Sequence, residues 1–423
     1  IDNTSAISVE KASQLITAAE KHRTRRENGN RTRFARLFKD PKAIAVTITL
    51  TDEVMRIHSL REAVTIFRQA SKKASLKGFG LINGFGLHFL RWASLLFPTI
   101  VIKLTHQRVR ALSKDLILPA EERELSKHLQ VRKEEGIKLN INVLGEAVLG
   151  QSEADQRFES ILAMMKRPEV DYVSVKLSAI VAQMLTIDHQ GNLEKVSQKL
   201  REIYRTSRTE NTFVNLDMEE YRDLNMTVAA FKQVLSEPEF LEISAGIVLQ
   251  AYLPESHSAF ADLVQWSQKR HAQKGAHIKV RLVKGANIAM EKVEAELHGL
   301  NPAPYRSKSD VDASYSRLID TALRPEIAPA VRIGIASHNL FHLTWAIEVA
   351  RARGVESQID IEMLEGMANG EAMAVVASGH SVLFYTPVTK RDDFASAVAY
   401  LVRRLDENTS DENYLKAAFE IGR

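Results

Sequence analysis

From about residue 139 onward, short apolar runs rich in β-branched residues alternate with helix-length amphipathic segments. The runs are LNINVL at 139–144, YVSVKL at 172–177, FVNLDM at 213–218, GIVLQAY at 246–252, IKVRLVK at 278–284, VRIGIAS at 331–337, IDIEML at 359–364 and SVLFYTPV at 381–388. Continuous apolar runs of this length are typical of parallel strands that are buried on both faces. Eight strands alternating with helices predict an α/β fold, the (β/α)8 TIM-type barrel. A doubly wound open sheet is the alternative, but the Gly-rich first turn that it usually brings is missing after Leu144.

The chain before this pattern is predicted to be helical, because its apolar positions recur at helical spacing in segments such as 52–74. We therefore divide the chain into a helical N-terminal arm, residues 1–136, and a barrel, residues 137–423. Glycines at 78, 80, 84 and 86 do not form a GxGxxG motif and follow no predicted strand. A dinucleotide-binding fingerprint is therefore rejected, and close helix packing is predicted for these glycines.

Two segments of the arm have an unusual composition. The most apolar stretch, residues 81–104, is interrupted by His, Arg, Pro and Lys residues, whereas a membrane-spanning helix needs about 20 consecutive apolar residues. We predict a buried or surface-docked helix here, with contact to a membrane surface as the alternative. A basic run at 21–42 is predicted to be a solvated helix face and loop, with nucleic-acid or anionic-lipid binding as the alternative.

Composition narrows the range of functions. The 423 residues are 45% hydrophobic and 26% charged, as in an ordinary globular protein, and the net charge of +4 does not call for a nucleic-acid partner. The chain has no cysteine, which excludes disulfides, thiolate metal sites, a cysteine nucleophile and attachment of a cofactor through sulfur. GxSxG, HExxH and P-loop motifs are absent, and no metal site is predicted.

Each predicted strand ends in, or just before, polar residues that a plain core would not contain. They are Glu146, Lys176, Asp217, Gln250, Tyr252, Arg281, Lys284, His338, Asn339, Glu362, Glu365 and Tyr385. In (β/α)8 barrels the active site lies at this end of the strands. The acidic members can pair with the basic ones and still leave a cationic mouth suited to an anionic ligand. Arg403 and Arg404 on the last predicted helix can converge on a small ligand such as a carboxylate, with plain surface charge as the alternative.

Seven short motifs then identify a family. They are LGEA (144–147), VKLSA (175–179), NLDMEE (215–220), LQAY (249–252), RLVKGA (281–286), SHN (337–339) and YLVRRLDEN (400–408). In this order they resemble the proline dehydrogenase barrel of the bifunctional proline utilization A flavoenzymes, over about residues 137–420. The resemblance implies oxidation of L-proline to Δ1-pyrroline-5-carboxylate by hydride transfer to N5 of a noncovalent FAD. A Schiff-base aldolase using Lys176 is the alternative that the residues leave open.

The resemblance also implies the site residues. The implied catalytic residues are Lys176, Asp217, Arg281, Tyr385, Arg403 and Arg404. The implied substrate-binding residues are Lys176, Asp217, Ala286, Asn287, Tyr385, Arg403 and Arg404. The implied FAD-binding residues are Gln250, Arg281, Val283, Lys284, Gly285, Ala286, Lys308, His338, Asn339, Glu365 and Glu407. Glu146 matches a family glutamate that holds the arginine pair.

One departure from the family bears on selectivity. After RLVKGA the family has Tyr-Trp where this chain has Asn287-Ile288, so hydroxyproline or another cyclic imino acid stays open as a substrate. The resemblance further implies a membrane quinone as electron acceptor, and a cytoplasmic protein associated peripherally with the inner face of the membrane. It implies an aldehyde dehydrogenase module beyond Arg423, and no nucleic-acid partner is expected.

Overall fold

The computed structural model describes residues 2–57, 59–145, 150–183, 188–218, 220–391, 393–397 and 400. The α-helices are α1 (Asp2–His22), α2 (Arg25–Phe38), α3 (Pro41–Thr51), α4 (Glu53–Arg56), α5 (Leu60–Lys72), α6 (Leu76–Phe79), α7 (Leu81–Ala93), α8 (Pro98–Ser113), α9 (Glu122–Glu134), α10 (Gln151–Met165), α11 (Leu177–Ile180), α12 (His189–Glu210), α13 (Asp223–Leu235), α14 (Ser256–Ala272), α15 (Ile288–Leu297), α16 (Lys308–Ala322), α17 (Leu340–Ala352) and α18 (Asn369–Ala377). The strands are β1 (Leu118–Pro119), β2 (Ile137–Val143), β3 (Tyr172–Lys176), β4 (Phe213–Asp217), β5 (Gly246–Gln250), β6 (Ile278–Val283), β7 (Val331–Ala336), β8 (Ile359–Leu364) and β9 (Val382–Thr389). Short 3-10 helices span Pro238–Phe240, Glu356–Gln358 and Phe394–Ala397.

Strands β2 to β9 form a closed parallel barrel. Each strand lies beside the next one along the chain, and β9 lies beside both β8 and β2. The predicted (β/α)8 barrel preceded by a helical region is therefore confirmed, and the eight predicted runs match these strands to within two residues at each end. The two-residue strand β1, which pairs with the end of β9, was not predicted.

Alternation along the strands explains how the barrel is filled. In β6, Ile278, Val280 and Leu282 are fully buried among apolar neighbours. The alternate residues, Lys279 and Arg281, contact side chains from other strands across the barrel interior. Because side chains of a strand alternate between its two faces, the barrel has an apolar outer layer under the helices and a polar interior.

The chain divides into two compact units. The first contains residues 1–20 and 122–387, and so combines α1, α9 and nearly all of the barrel. The second contains residues 21–121 and the chain from 388 onward. The domain division at residue 136 stays a prediction.

The second unit has an apolar core of its own, formed mainly by α3, α5 and α8. Val46, Leu50, Phe67, Val101 and Ile102 belong to this core. The prediction of close packing is confirmed for two glycines, since a Cβ on residue 78 would lie 2.3 Å from the Cβ of residue 43, and one on residue 84 would lie 2.5 Å from a methyl of residue 76. A Cβ on residue 86 would meet open space, so packing does not explain that glycine.

The apolar stretch 81–104 forms α7, a short turn and the first part of α8, which begins at Pro98. Proline suits this first helical position because the helix leaves the N–H there without a partner. One side of the stretch packs on the core of the second unit through Leu87, Leu90, Val101 and Ile102. Among the described residues, no helix is long and apolar enough to cross a membrane.

Candidate active site

A buried ion pair between Asp217 and Arg281 lies at the centre of the barrel mouth. Asp217 is the last residue of β4, and its Oδ1 accepts a hydrogen bond of 2.7 Å from Arg281 Nη2. The same oxygen accepts from Asn215 Nδ2 at 2.8 Å and from Ser174 Oγ at 3.2 Å. Three donors on one carboxylate oxygen fix the position of Asp217, and through it the direction of the guanidinium.

The guanidinium of Arg281 also faces an aromatic ring and a second carboxylate. Its Cζ lies 5.0 Å from the ring centroid of Tyr385, and its Nη1 lies 3.8 Å from Glu362 Oε2. Burial alone would lower the pKa of Arg281, but Asp217 and Glu362 outweigh burial and raise that pKa. Arg281 is therefore a permanent cation, held between two anions and an aromatic face.

Lys176 belongs to the same cluster. It is the last residue of β3, it is buried, and it is in register with Asp217 on the neighbouring strand. Neighbouring strands are about 5 Å apart, so the ammonium and the carboxylate leave the sheet side by side.

A second cation lies one layer deeper in the barrel. Lys279 Nζ is 2.6 Å from Glu362 Oε1 and 3.0 Å from Asp360 Oδ2. Burial by itself lowers the pKa of Lys279, but Glu362 and the other acidic groups around it raise that pKa. Lys279, Glu362, Arg281 and Asp217 thus form a buried row of alternating charge that leads to the mouth.

The carboxyl ends of β5 and β6 are joined by backbone hydrogen bonds. Ala251 N donates to Val283 O, and Tyr252 N donates to Lys284 O, each at 2.8 Å. Gly285 follows with φ of +106°, and a Cβ there would lie 1.8 Å from Cδ1 of Tyr252. Only glycine fits this position, because both the backbone conformation and the close tyrosine ring exclude a side chain.

The remaining predicted residues near β5 and β6 flank this junction. Gln250 ends β5 and donates from Nε2 to Met218 O at 2.7 Å. Ala286 is exposed, whereas Asn287 is buried at the N-terminal cap of α15. Asn287, where the family has tyrosine, is therefore enclosed at the edge of the mouth.

Two lysines share one carboxylate beyond the end of β6. Lys284 Nζ is 2.5 Å from Asp312 Oδ1, and Lys308 Nζ is 3.0 Å from Asp312 Oδ2. Burial lowers the pKa of Lys284 in spite of this pairing, while the two lysines together lower the pKa of Asp312 against the effect of burial. The two ammonium groups therefore converge on one carboxylate beside the first turn of α16.

His338 and Asn339 form the turn between β7 and α17. Nε2 of His338 accepts a hydrogen bond from Leu364 N at 3.2 Å, which places the ring proton on Nδ1. Asn339 caps α17, its Oδ1 accepting from the backbone N–H of residues 341 and 342. Both residues thus lie at the positive end of a helix.

Glu365, after β8, has a partner that the sequence did not indicate. Its Oε1 accepts from Arg132 Nε at 3.1 Å and also from Arg132 Nη2, and His128 Nε2 lies 3.4 Å away. Glu365 is therefore held by α9, the helix that leads into the barrel.

The structure brings together Lys176, Asp217, Arg281 and Tyr385 in one cluster, and Lys284 and Lys308 in another. It places Gln250, His338, Asn339 and Glu365 at the carboxyl ends of further strands. Glu146, Arg403, Arg404 and Glu407 lie outside the described residues. In the part of the chain that the structure describes, no group of three or more metal-ligating side chains is arranged to hold a metal ion.

Sequence reasoning missed the residues that support this cluster: Ser174, Asn215 and Lys279. The alternation of side chains along each strand could have indicated these residues. Ser174 lies two residues before Lys176, Asn215 two before Asp217, and Lys279 two before Arg281. Each therefore shares the inward face of a candidate site residue.

A parallel (β/α)8 barrel with buried charged groups at the carboxyl ends of its strands has the architecture of a barrel enzyme. Comparison with known proteins narrows this class. The profile of the family described as proline dehydrogenase matches residues 125–417. The chain belongs to the proline dehydrogenase family.

Individual relatives agree with this placement. The bifunctional protein PutA of Klebsiella aerogenes is 26% identical over 303 residues, which cover 67% of this chain and 22% of that protein. The structure of proline utilization A from Corynebacterium freiburgense is 50% identical, with a TM-score of 0.69 over 74% of this chain and 32% of that one. The structure of proline utilization A from Bdellovibrio bacteriovorus inactivated by N-propargylglycine is 25% identical, with a TM-score of 0.81 over 99% of this chain and 43% of that one. The chain thus spans about a fifth of the length of its bifunctional relative.

Proposed function

We propose that the protein oxidises L-proline to Δ1-pyrroline-5-carboxylate, the first step of proline catabolism, with noncovalent FAD as the oxidant. The oxidation takes a hydride from C5 and a proton from the ring nitrogen, which leaves a carbon–nitrogen double bond. The main support is Arg281, a buried cation that Asp217 holds 5.0 Å from the Tyr385 ring, in a barrel of the proline dehydrogenase family.

The donors near β6, β7 and α16 fit a cofactor that carries a pyrophosphate. Lys284 and Lys308 already bind opposite oxygens of one carboxylate, and His338 and Asn339 lie at a helix N-terminus, which attracts anions. FAD, when bound, supplies a ring that accepts hydride at N5. Val283, Gly285 and Ala286 would line its path, Gln250 would hold the pyrimidine edge, and Glu365 and Glu407 would serve the ribose and adenine.

The residues of the central cluster would bind and orient the substrate. Arg403 and Arg404 would bind the carboxylate of proline as a pair of forks, with Lys176 as a third cation. Asp217 would hold Lys176 and Arg281 in place, and Tyr385 would pack on the substrate ring. Arg281 would stabilise the negative charge that develops beside it during the transfer.

We further propose a membrane quinone as the electron acceptor, which would bring a cytoplasmic protein to the inner face of the membrane. An aldehyde dehydrogenase module beyond Arg423 would oxidise the product further. We also propose that Asn287, where the family has tyrosine, affects the choice between proline and hydroxyproline. The rates of oxidation of these two substrates should be compared directly. The family placement favours this oxidation over the Schiff-base alternative.

The visible absorption spectrum tests the proposal. After reconstitution with FAD the purified chain should be yellow, and proline should bleach it in the absence of oxygen. Arg281→Met should slow the bleaching by about 100-fold, as expected for loss of a fixed group that stabilises developing charge. Arg353→Met, which removes a partly exposed arginine paired with Asp320, is the matched control. A chain that binds no flavin, or a flavin that proline does not bleach, would refute the proposal.

Two further variants test the substrate contacts. Arg403→Met and Arg404→Met should each raise the KM for proline, whereas unchanged saturation in both would reject the carboxylate clamp. Trapping of a carbonyl substrate on Lys176 by borohydride would support the aldolase reaction instead.

A further inference from the structure

An exposed apolar surface covers the outer side of α7, the following turn and the start of α8. We call residues 85–104 the hydrophobic hairpin. Its exposed side chains are Phe85, Phe89, Trp92, Leu95, Leu96, Phe97, Ile100 and Leu104, each between 46% and 64% accessible to solvent. Contiguous exposed apolar patches on a protein surface mark sites of interaction.

The spacing of these residues separates two faces of the hairpin. Phe85, Phe89 and Trp92 follow one another at helical spacing along the outer face of α7, and the rings of Phe89 and Trp92 lie 6.4 Å apart. The opposite face of α7 carries Leu87 and Leu90, which pack on the core of the second unit. The inner face therefore anchors the helix, so that the outer face is presented on a folded support.

The charged residues in the sequence around the hairpin are all basic. Residues 63–114 contain nine lysines and arginines and no aspartate or glutamate. The basic residues are Arg68, Lys72, Lys73, Lys77, Arg91, Lys103, Arg108, Arg110 and Lys114. Two copies of this segment placed face to face would bring like charges together, which opposes self-association through it.

Aromatic and leucine side chains rimmed by lysine and arginine are typical of helices that lie in the interface of an anionic membrane. Protein interfaces, in contrast, are depleted in lysine. No described helix is both long and apolar enough to span a bilayer, so the hairpin would lie on the membrane surface.

We propose that the hydrophobic hairpin docks on an anionic phospholipid bilayer, with Phe89, Trp92 and Phe97 inserted below the headgroups. Lys77, Lys103 and the neighbouring basic residues would contact the phosphates. The proposal adds a lipid contact to the proposed quinone reduction but does not depend on it. Lipid binding is measured without proline, quinone or activity, so its failure leaves the catalytic proposal standing.

Flotation of the whole chain with vesicles tests the docking. The protein should float with vesicles of phosphatidylcholine and phosphatidylglycerol, much less with phosphatidylcholine alone, and less as salt is added. The triple variant Phe89→Ser, Trp92→Ser, Phe97→Ser should lose at least about tenfold in partitioning. The matched control is Met290→Ser, Val293→Ser, Leu297→Ser, which removes three equally exposed apolar side chains of α15 and should bind as the parent does.

Trp92 reports the depth of insertion. Phosphatidylcholine brominated on its acyl chains, mixed with phosphatidylglycerol, should quench part of the tryptophan fluorescence, and Trp92→Phe should still bind while losing that part. All variants should unfold at the temperature of the parent, since the replaced side chains are exposed. Absence of flotation, or equal flotation of the triple variant, would overturn the proposal. So would a lipid-free dimer that only the triple variant abolishes, because that result assigns the hairpin to a contact between copies.

Discussion

The buried row of charges in the barrel gives a quantitative prediction through Glu362→Gln. The change keeps the shape of the side chain but removes the anion between Lys279 and Arg281. Gly334 leaves the space for this carboxylate, since a Cβ there would lie 2.3 Å from Glu362 Oε1. Both Lys279 and Glu362 are almost inaccessible to solvent, so the variant leaves a buried ammonium without its nearest counter-charge.

The expected cost follows from the distances. At an effective dielectric constant of about 20, the attraction across 2.6 Å to Lys279 is roughly 6 kcal/mol, and that across 3.8 Å to Arg281 is roughly 4 kcal/mol. These attractions are partly offset, because the variant no longer has to bury a charged carboxylate. For this reason the loss of stability on removing one partner of a buried pair is only about 3–5 kcal/mol. We expect the free energy of unfolding to fall by that amount, which lowers the Tm of a chain of this length by roughly 3–6 °C.

Urea unfolding followed by far-UV circular dichroism measures this loss. Asp320→Asn is the matched control, because it breaks a pair of 2.6 Å with Arg353 at a partly exposed site and should cost less than about 1 kcal/mol. The double variant Lys279→Met, Glu362→Leu should recover most of the stability, since apolar replacement of a whole buried pair is often neutral. Equal losses in Glu362→Gln and Asp320→Asn would refute the reasoning.

Three other variants test further features of the barrel. Arg270→Met should lower the free energy of unfolding by about 3 kcal/mol in urea, because Arg270, whose pKa burial lowers to about 10, donates to five backbone carbonyls. Gly285→Ala should abolish FAD retention on gel filtration through its clash with Tyr252, while Gly299→Ala, at φ of +65° with open space around it, should retain FAD. Burial, with Lys284 nearby, lowers the pKa of His342 to about 4. As the pH drops, the unfolded state therefore binds a proton on this histidine before the folded state does. The free energy of unfolding should fall between about pH 6.5 and pH 4. His342→Phe should remove this part of the acid sensitivity in urea titrations across that range, and an unchanged pH profile would contradict the assignment.

The sequence predicted the barrel closely because strand burial is a local signal. Each of the eight runs is apolar enough to mark a strand, and the intervening helices have their own period. The strand Leu118–Pro119 was missed because two residues carry no period, and its pairing with Val388 joins segments far apart in the chain. Close packing was predicted correctly for the glycines at 78 and 84. That prediction needs only the absence of a side chain and not the identity of the packing partner.

The site was predicted less completely, for two physical reasons. The first is that polar residues were sought at the strand ends, whereas Lys279 and Ser174 lie a layer deeper, where none was sought. The second is that partners distant in sequence leave no local trace. Arg132 and Glu365 are 233 positions apart, and neither is unusual in its own segment. The position of Glu365 after a strand was evident, but its ion pair with α9 was not.

Two regions of this chain reverse the usual rule that charge is exposed and apolar surface is buried. The barrel buries Lys279 and Arg281 with Glu362 and Asp217, and the hydrophobic hairpin exposes Phe89 and seven other large apolar side chains. Each arrangement costs free energy in the isolated molecule, through desolvation in one case and hydration of apolar surface in the other. Sequences retain such conflicts where a function uses them. A substrate carboxylate and a reduced flavin would interact with the buried charges, and a lipid surface would cover the exposed apolar side chains. The catalytic proposal therefore rests on buried charge and the docking proposal on exposed apolar surface, and the two can be tested separately.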